Sequence, residues 1–234
     1  MCARFVLSTA EKTILQAYAA ELVGPFAPNY NIAITDETLV ITADEPAIIQ
    51  PMHFGIVPHH APALKVDYDS FNSRDDRLLE SKIWKPLVEH HKTCLVLTNG
   101  FYEWKRIPDG KKVIKEPYMF TLTDRPLFAF AGLWSQWVNP IDKSRYRSFS
   151  IITTQSNEIV GEIHEKKRMP VILSKEKEKA WLSKDLSVNS MLELCQPFPD
   201  DLMQRVRVSS RINTTNRKDK PNNDEGLIAP ENSK

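Results

Sequence analysis

The sequence predicts an α+β domain: a curved, largely antiparallel β-sheet or barrel-like core with helices at its edge. Three observations carry this. Seven short β-type runs follow one another from Glu37 to about Thr154, most of them separated by turns too short for crossover helices, which favours antiparallel pairing. Apart from the helix-like "ESKIWKPLV", helical patterns stand at the two ends of that series. At 234 residues and 41% hydrophobic, the chain is long and apolar enough for one core, and no internal repeat or clean linker divides it.

In order, "STAEKTILQAYAAEL" reads as a helix in which Ser8 caps with Glu11 three residues on, and Ile14, Leu15, Tyr18 and Leu22 form the apolar stripe. The runs "ETLVIT", "MHFGIVP", "CLVLT", "FYEW", "YMFTLT", "LFAFAGLW" and "SFSIITT" alternate or are wholly apolar, as half-buried and fully buried strands are. A polar run, "SFNSRDDRL", lies between "KVDY" and the helix-like "ESKIWKPLV". "SKEKEKAWLS", with Ser174 as its cap, and "SVNSMLELC" close the series as helices. After "RVRVSS" the apolar pattern stops, so the expected domain is 1–212, followed by a flexible tail, 213–234.

The formal net charge of +1 comes from 31 basic and 30 acidic residues, so any contact with nucleic acid has to use a local patch. Cys2, Cys94 and Cys195 are an odd, widely spaced set without C-x-x-C, which argues against a disulfide framework or a zinc site and for a reducing, cytoplasmic location. His59-His60 and His90-His91 lack companion ligands at metal spacing. No secretory leader or membrane span is predicted, and nothing in the sequence calls for a cofactor.

Four places could carry chemistry. "MCARF" puts a cysteine behind a removable methionine. A chain that began with Cys2 would hold an α-amine and a thiol on adjacent carbons, able to close an aldehyde into a thiazolidine by way of a Schiff base. The bland alternative is an arbitrary small residue. In "LTNGFYEWK", a strand leaving the Asn99-Gly100 turn places Phe101 and Glu103 on one face and Tyr102 and Trp104 on the other. Glu103 is then either a carboxyl among aromatics, with a raised pKa and a use in proton transfer, or a solvated edge residue. In "SFNSRDDRL", Asn72 suits a sugar or carbonyl and Arg74 a phosphate, unless the loop merely leads into the next helix. In "GEIHEKKRMPVIL", His164 stands before Lys166, Lys167 and Arg168, as a proton shuttle beside phosphates or as a packing residue.

Together these blocks, "MCARF", "NYNIA", "FGIVP", Asn72 with Arg74, "NGFYEW", "FAGLW", "ITT" and "IH" before "RMPVIL", resemble the SOS response-associated peptidase (SRAP) family in family order, from residue 2 to about 182. The resemblance implies the SRAP fold and a monomer that crosslinks through Cys2 to abasic sites in single-stranded DNA or at single-strand to duplex junctions. By the same resemblance Asn72 holds the ring-opened sugar, Glu103 manages protons, and His164 assists sugar opening and reversal. Arg4 and Arg74 grip phosphates, Ile34 and Phe54 wedge against base stacks, and Thr154 and Arg168 join the DNA-binding surface. This chain departs from the usual pattern at Ala3, Ile34 and Phe54, at Asp75-Asp76, at Asn99, and in the longer spacing of "HEKKRMP". A non-covalent DNA-binding module and a cysteine peptidase acting on protein are the competing expectations.

Overall fold

The computed structural model of the protein describes residues 2–64 and 70–231; Met1, the "KVDY" run and the last three residues of the expected tail lie outside them. In chain order the strands are β1 (Arg4–Leu7), β2 (Glu21–Leu22), β3 (Asn29–Ala33), β4 (Glu37–Thr42), β5 (Ile48–Phe54), β6 (Asn72–Arg74), β7 (Thr93–Thr98), β8 (Gly100–Asp109), β9 (Lys112–Leu122), β10 (Phe128–Val138), β11 (Arg145–Gln155), β12 (Arg168–Pro170), β13 (Ile172–Leu173) and β14 (Met203–Arg207). The helices are α1 (Glu11–Tyr18), α2 (Trp84–Glu89), α3 (Glu158–Gly161), α4 (Lys175–Trp181) and α5 (Val188–Glu193).

The larger sheet closes on itself. β5, β4, β7, β10 and β11 pair antiparallel in that order, and β11 then pairs parallel with β5 through Ser148↔His53 and Phe149↔Phe54. Closure removes the exposed edges that an open sheet would carry. A second sheet, in the order β14-β9-β8-β1-β3, lies against it. Phe5 of β1 packs between the two, with its ring edge-on to Phe54 at 5.4 Å and to Phe130 at 5.9 Å. The expected α+β class with a barrel-like core is the observed one. No helix among the described residues is long and apolar enough to cross a membrane.

Gly100, where β8 leaves its turn, is needed for space: a Cβ there would stand 2.5 Å from the Phe120 carbonyl oxygen of β9. The preceding Asn99 is fully used. Its Oδ1 accepts from the Ser8 and Thr9 amides at 2.7 and 3.1 Å, and its Nδ2 donates to Thr9 Oγ1 and the Pro126 carbonyl. An aspartate could accept from the Thr9 hydroxyl but could not donate to the Pro126 carbonyl.

Two expectations are corrected. α1 begins after Ala10 with no side-chain cap, because Asn99 has already taken the Ser8 and Thr9 amides, and it ends at Tyr18 with Ala19 in the left-handed region (φ 47). Leu22 therefore belongs to β2 and not to the helical stripe. The stretch expected to fray is docked as far as residue 231. Leu227 is fully buried with Val6, Tyr102, Val208 and Ile212, Asn223 Oδ1 accepts the Tyr30 amide at 2.6 Å, and Pro230 bridges to Val208. One leucine and several side-chain amides do there what an apolar periodicity does elsewhere.

Candidate functional site

β1 starts two residues after Cys2 and runs between β3 and β8 in the second sheet, which fixes the N-terminal segment against the core. Cys2 is fully buried, with its sulfur 3.9 Å from the Arg4 carbonyl oxygen. Burial, and after it the field of Glu103, pushes the thiol well above its ordinary pKa. β6 brings Asn72 alongside through its parallel pairing with Ile151 of β11. Asn72 Nδ2 donates to the Cys2 carbonyl at 3.1 Å and to the Phe71 carbonyl at 3.0 Å, while its buried Oδ1 accepts no hydrogen bond from the described residues.

Alternation along β8 has the predicted outcome: Phe101 faces the main core, and Tyr102 and Trp104 face the smaller cluster around Val208. Glu103 is 3% exposed. Burial pushes its carboxyl up to about 7, which is the environment its aromatic neighbours predicted. His164 follows α3 and reaches the same place, its Nε2 3.7 Å from Glu103 Oε2. The longer spacing in "HEKKRMP" does not displace it. The extra residues form a turn in which Lys167 is left-handed (φ 47) and donates its amide to the His164 carbonyl at 2.8 Å. His164 Nδ1 accepts the Arg168 amide at 3.1 Å, which puts the ring proton on Nε2, and burial pushes the imidazolium down to about 4.

A cleft of about 310 Å³ opens at this cluster. Ala3 and Phe71 line it with Glu103 and His164, and Trp104, Lys115, Lys166 and the Arg106–Glu165 ion pair at 3.4 Å complete its wall. Arg106, Lys115 and Trp104 were missed as site residues. The signal that could have found them is the opposition of Arg106 and Lys115 across the β8–β9 register, visible once the hairpin turn at Asp109-Gly110 is taken as its centre. No group of three or more metal-ligating side chains gathers among the described residues.

The sequence model of the SOS response associated peptidase (SRAP) family matches residues 1–215. The chain belongs to this family. Abasic site processing protein YoqW of Bacillus subtilis is 35% identical over 220 residues, covering 92% of this chain and 95% of that protein. Abasic site processing protein YoaM of the same organism is 33% identical over 238 residues, covering 99% of each. A crystal structure of a protein from Bacteroides thetaiotaomicron superposes with a TM-score of 0.84 at 23% identity, covering 98% of this chain and 100% of that one, and so shares the SRAP fold.

Within this SRAP chain the DNA-binding candidates divide. Arg74 and Ile34 are exposed. Arg74 is held by Asp76, Nε to Oδ1 at 2.9 Å and Nη2 to Oδ2 at 2.5 Å. The other four are buried or engaged by the protein itself. Phe54 is 1% exposed and stacked on Phe149 at 5.2 Å, because the parallel β5–β11 pairing turns it into the core, so it has no face to wedge against bases. Thr154 is buried, its Oγ1 donating to Asp75 Oδ2 at 2.6 Å. Arg168 is committed to Asp75 Oδ1 at 2.8 Å and to the Thr153 carbonyl. Arg4 Nη1 donates to Asn31 Oδ1 at 2.6 Å and to the carbonyls of Ile212 and Thr214 at 3.1 and 3.4 Å, so that nitrogen clamps the C-terminal segment.

Proposed function

We propose that this chain processes abasic sites in DNA, acting as a sensor and shield that crosslinks to them through Cys2 once Met1 is removed. The observation that carries the reading is the gathering, next to one cleft, of Cys2, held at its carbonyl by Asn72 and within the field of Glu103, with that buried carboxyl and the His164 imidazole in the cleft wall. The names of the relatives support the same substrate.

The chemistry follows from the groups present. The free α-amine of Cys2 adds to the C1′ aldehyde of a ring-opened abasic sugar, and the carbinolamine loses water to give an iminium. The thiol then adds to that carbon, its proton leaves, and the iminium electron pair returns to nitrogen, which closes the thiazolidine. Water departure needs an acid and thiol addition needs a base. A carboxyl near pKa 7 serves both at neutral pH, which is the role proposed for Glu103. Asn72 Oδ1 is the acceptor for a sugar hydroxyl or the amine, and His164, as a neutral donor from Nε2, assists sugar opening and reversal. The partner is single-stranded DNA with abasic sites, or a junction, met by a monomer.

A thiol-only peptidase is disfavoured by the same geometry. His164 Nδ1 is occupied as an acceptor and Nε2 carries a proton toward Glu103, so the ring is not set to deprotonate Cys2.

The test uses single-stranded oligonucleotides with and without one abasic site. A heat-stable adduct forms only with the first, is absent when an uncleavable tag precedes Cys2, and returns when the tag is removed to leave Cys2 first. Equal adducts from a form with one extra residue ahead of Cys2 would refute the aminothiol mechanism.

A further inference from the structure

The β8–β9 hairpin runs well past the body of the protein. β1 pairs with β8 only at Gly100 and Phe101, and β14 pairs with β9 only from Tyr118 to Leu122. Beyond Trp104↔Pro117, five residue pairs, Lys105↔Glu116 to Asp109↔Lys112, have strand partners only in each other among the described residues. At 3.4 Å per residue that is an arm of about 17 Å. A two-stranded ribbon of this kind is marginal in water by itself, and this one also exposes Val113 (53%) and Ile114 (48%).

The arm is strongly charged in a chain that is nearly neutral. Lys105, Arg106, Lys111, Lys112 and Lys115 stand with only two acids in the same stretch, Asp109 and Glu116; from outside it, Glu116 is met by Arg207 at 3.2 Å and Arg106 by Glu165 at 3.4 Å, which leaves Lys105, Lys111, Lys112 and Lys115 as the excess. The cleft and the arm are continuous. Arg106 and Lys115 form one cross-strand pair and both line the cleft, and by alternation Pro108 and Val113, the pair two residues nearer the tip, extend the same face.

We infer that this hairpin arm, entered at the Arg106–Lys115 pair, is a track for the nucleic-acid strand leaving the cleft on one side of the reacting nucleotide. Basic side chains hold its phosphates, and the exposed apolar residues lie against its bases. At 3.4 Å per stacked nucleotide the arm spans about five nucleotides. The inference rests on the proposed function for the strand's anchor point. It assigns a polarity of flank recognition that the cleft alone does not supply.

The test compares wild type with Lys111→Gln/Lys112→Gln and with Val113→Ser, all outside the cleft. The substrates are an abasic oligonucleotide with one nucleotide on each side and the same oligonucleotide extended by six nucleotides on its 5′ or its 3′ side. In wild type, extension on one side strengthens binding by about ten- to a hundred-fold, and extension on the other side does little. The double variant loses most of that gain, its log–log salt slope falls by about 1.4 on the extended strand, and its adduct rate on the short oligonucleotide equals wild type. Equal gains in wild type and variants, or none on either side, would overturn the track. Binding of an extended undamaged strand is read in parallel. If it weakens in the double variant while no adduct forms on any substrate, the track stands and the crosslinking reading falls.

Discussion

His164 Nε2 lies 3.7 Å from Glu103 Oε2 across the floor of the cleft, with the imidazole proton fixed on that nitrogen by the Arg168 amide at Nδ1. Both groups are buried, and burial moves them in opposite directions, the carboxyl up to about 7 and the imidazolium down to about 4. At neutral pH the imidazole is uncharged and the carboxyl stands near the middle of its titration. The pair is set to pass a proton and not to hold an ion pair.

The first prediction is a pH signature in stability. The Glu103 pKa is raised on folding, so its contribution is fully present below about 4.5 and is lost as pH rises through about 7. The His164 pKa is depressed, so its contribution is present above about 6.5 and is lost as pH falls toward about 4. Between those limits the two slopes cancel in the wild type. Glu103→Gln should therefore lose stability relative to wild type on acidification from pH 6.5 to 4, and His164→Gln should gain it from pH 7 to 4.5, each by at most about 3 kcal/mol. Urea unfolding across that range measures both, and parallel curves for all three proteins would contradict the assignment.

The second concerns Asn72. Its Nδ2 is the donor to the Cys2 carbonyl, so Asn72→Ala leaves a buried acceptor without that bond, at a cost of about 1–3 kcal/mol. Adduct formation on abasic single strands should slow by about ten- to a thousand-fold, as should that of Glu103→Gln. A rate unchanged in both variants would remove the site.

The third tests the burial of Phe54. Phe54→Ala opens a cavity among Phe5, Phe71 and Phe149 and should cost about 3–5 kcal/mol, lowering Tm by about 6–20 °C, while DNA affinity below the transition stays at the wild-type level. Lost affinity with unchanged Tm would restore the wedge.

Phe54 also marks where the sequence stops being legible. The environment of Glu103 follows from strand alternation within "NGFYEW", a local pattern. The face shown by Phe54 is decided by the parallel pairing of β5 with β11, nearly a hundred residues on, and no local period records it. Arg4 and Arg168 pose the same difficulty: motif position put them near DNA, but their acceptors, Asn31 with the Ile212 carbonyl and Asp75, come from distant segments. His164 was legible as a residue, while its place depended on a turn that only a left-handed Lys167 allows.

The fourth prediction concerns Arg74, whose guanidinium is bidentate to Asp76 on the surface. A phosphate gripped bidentately by the same Nε–Nη2 edge must displace that carboxylate. Asp76→Asn should strengthen single-strand binding by about two- to fivefold, the worth of a surface pair, and Arg74→Ala should weaken it and reduce the salt slope by about 0.7. Weaker binding by Asp76→Asn would mean that Asp76 orients Arg74 for the phosphate and does not compete with it.

The last prediction concerns the C-terminal segment. Arg4, two residues from Cys2, is clamped by the Thr214 carbonyl, and Asn222 Nδ2 donates to the carbonyls of Arg211 and Thr214 at 2.8 and 2.9 Å, which holds that stretch in shape. Leu227 seals the cluster behind Tyr102 of β8, the neighbour of Glu103. A frayed tail could be cut at no cost. A docked one cannot, since its removal exposes Val208 and Ile212 and strips Arg4 of an acceptor. Leu227→Ala should therefore cost about 2–5 kcal/mol, and truncation after residue 212 should lower Tm by about 5–15 °C. The truncated protein should also form adduct more slowly than wild type even well below its Tm, because β1 begins at the residue that the segment holds. Equal Tm values for full-length and truncated protein would show that the segment adds nothing to the fold. A lowered Tm with an unchanged rate would confine its role to stability and leave the position of Cys2 to β1 and Asn72 alone.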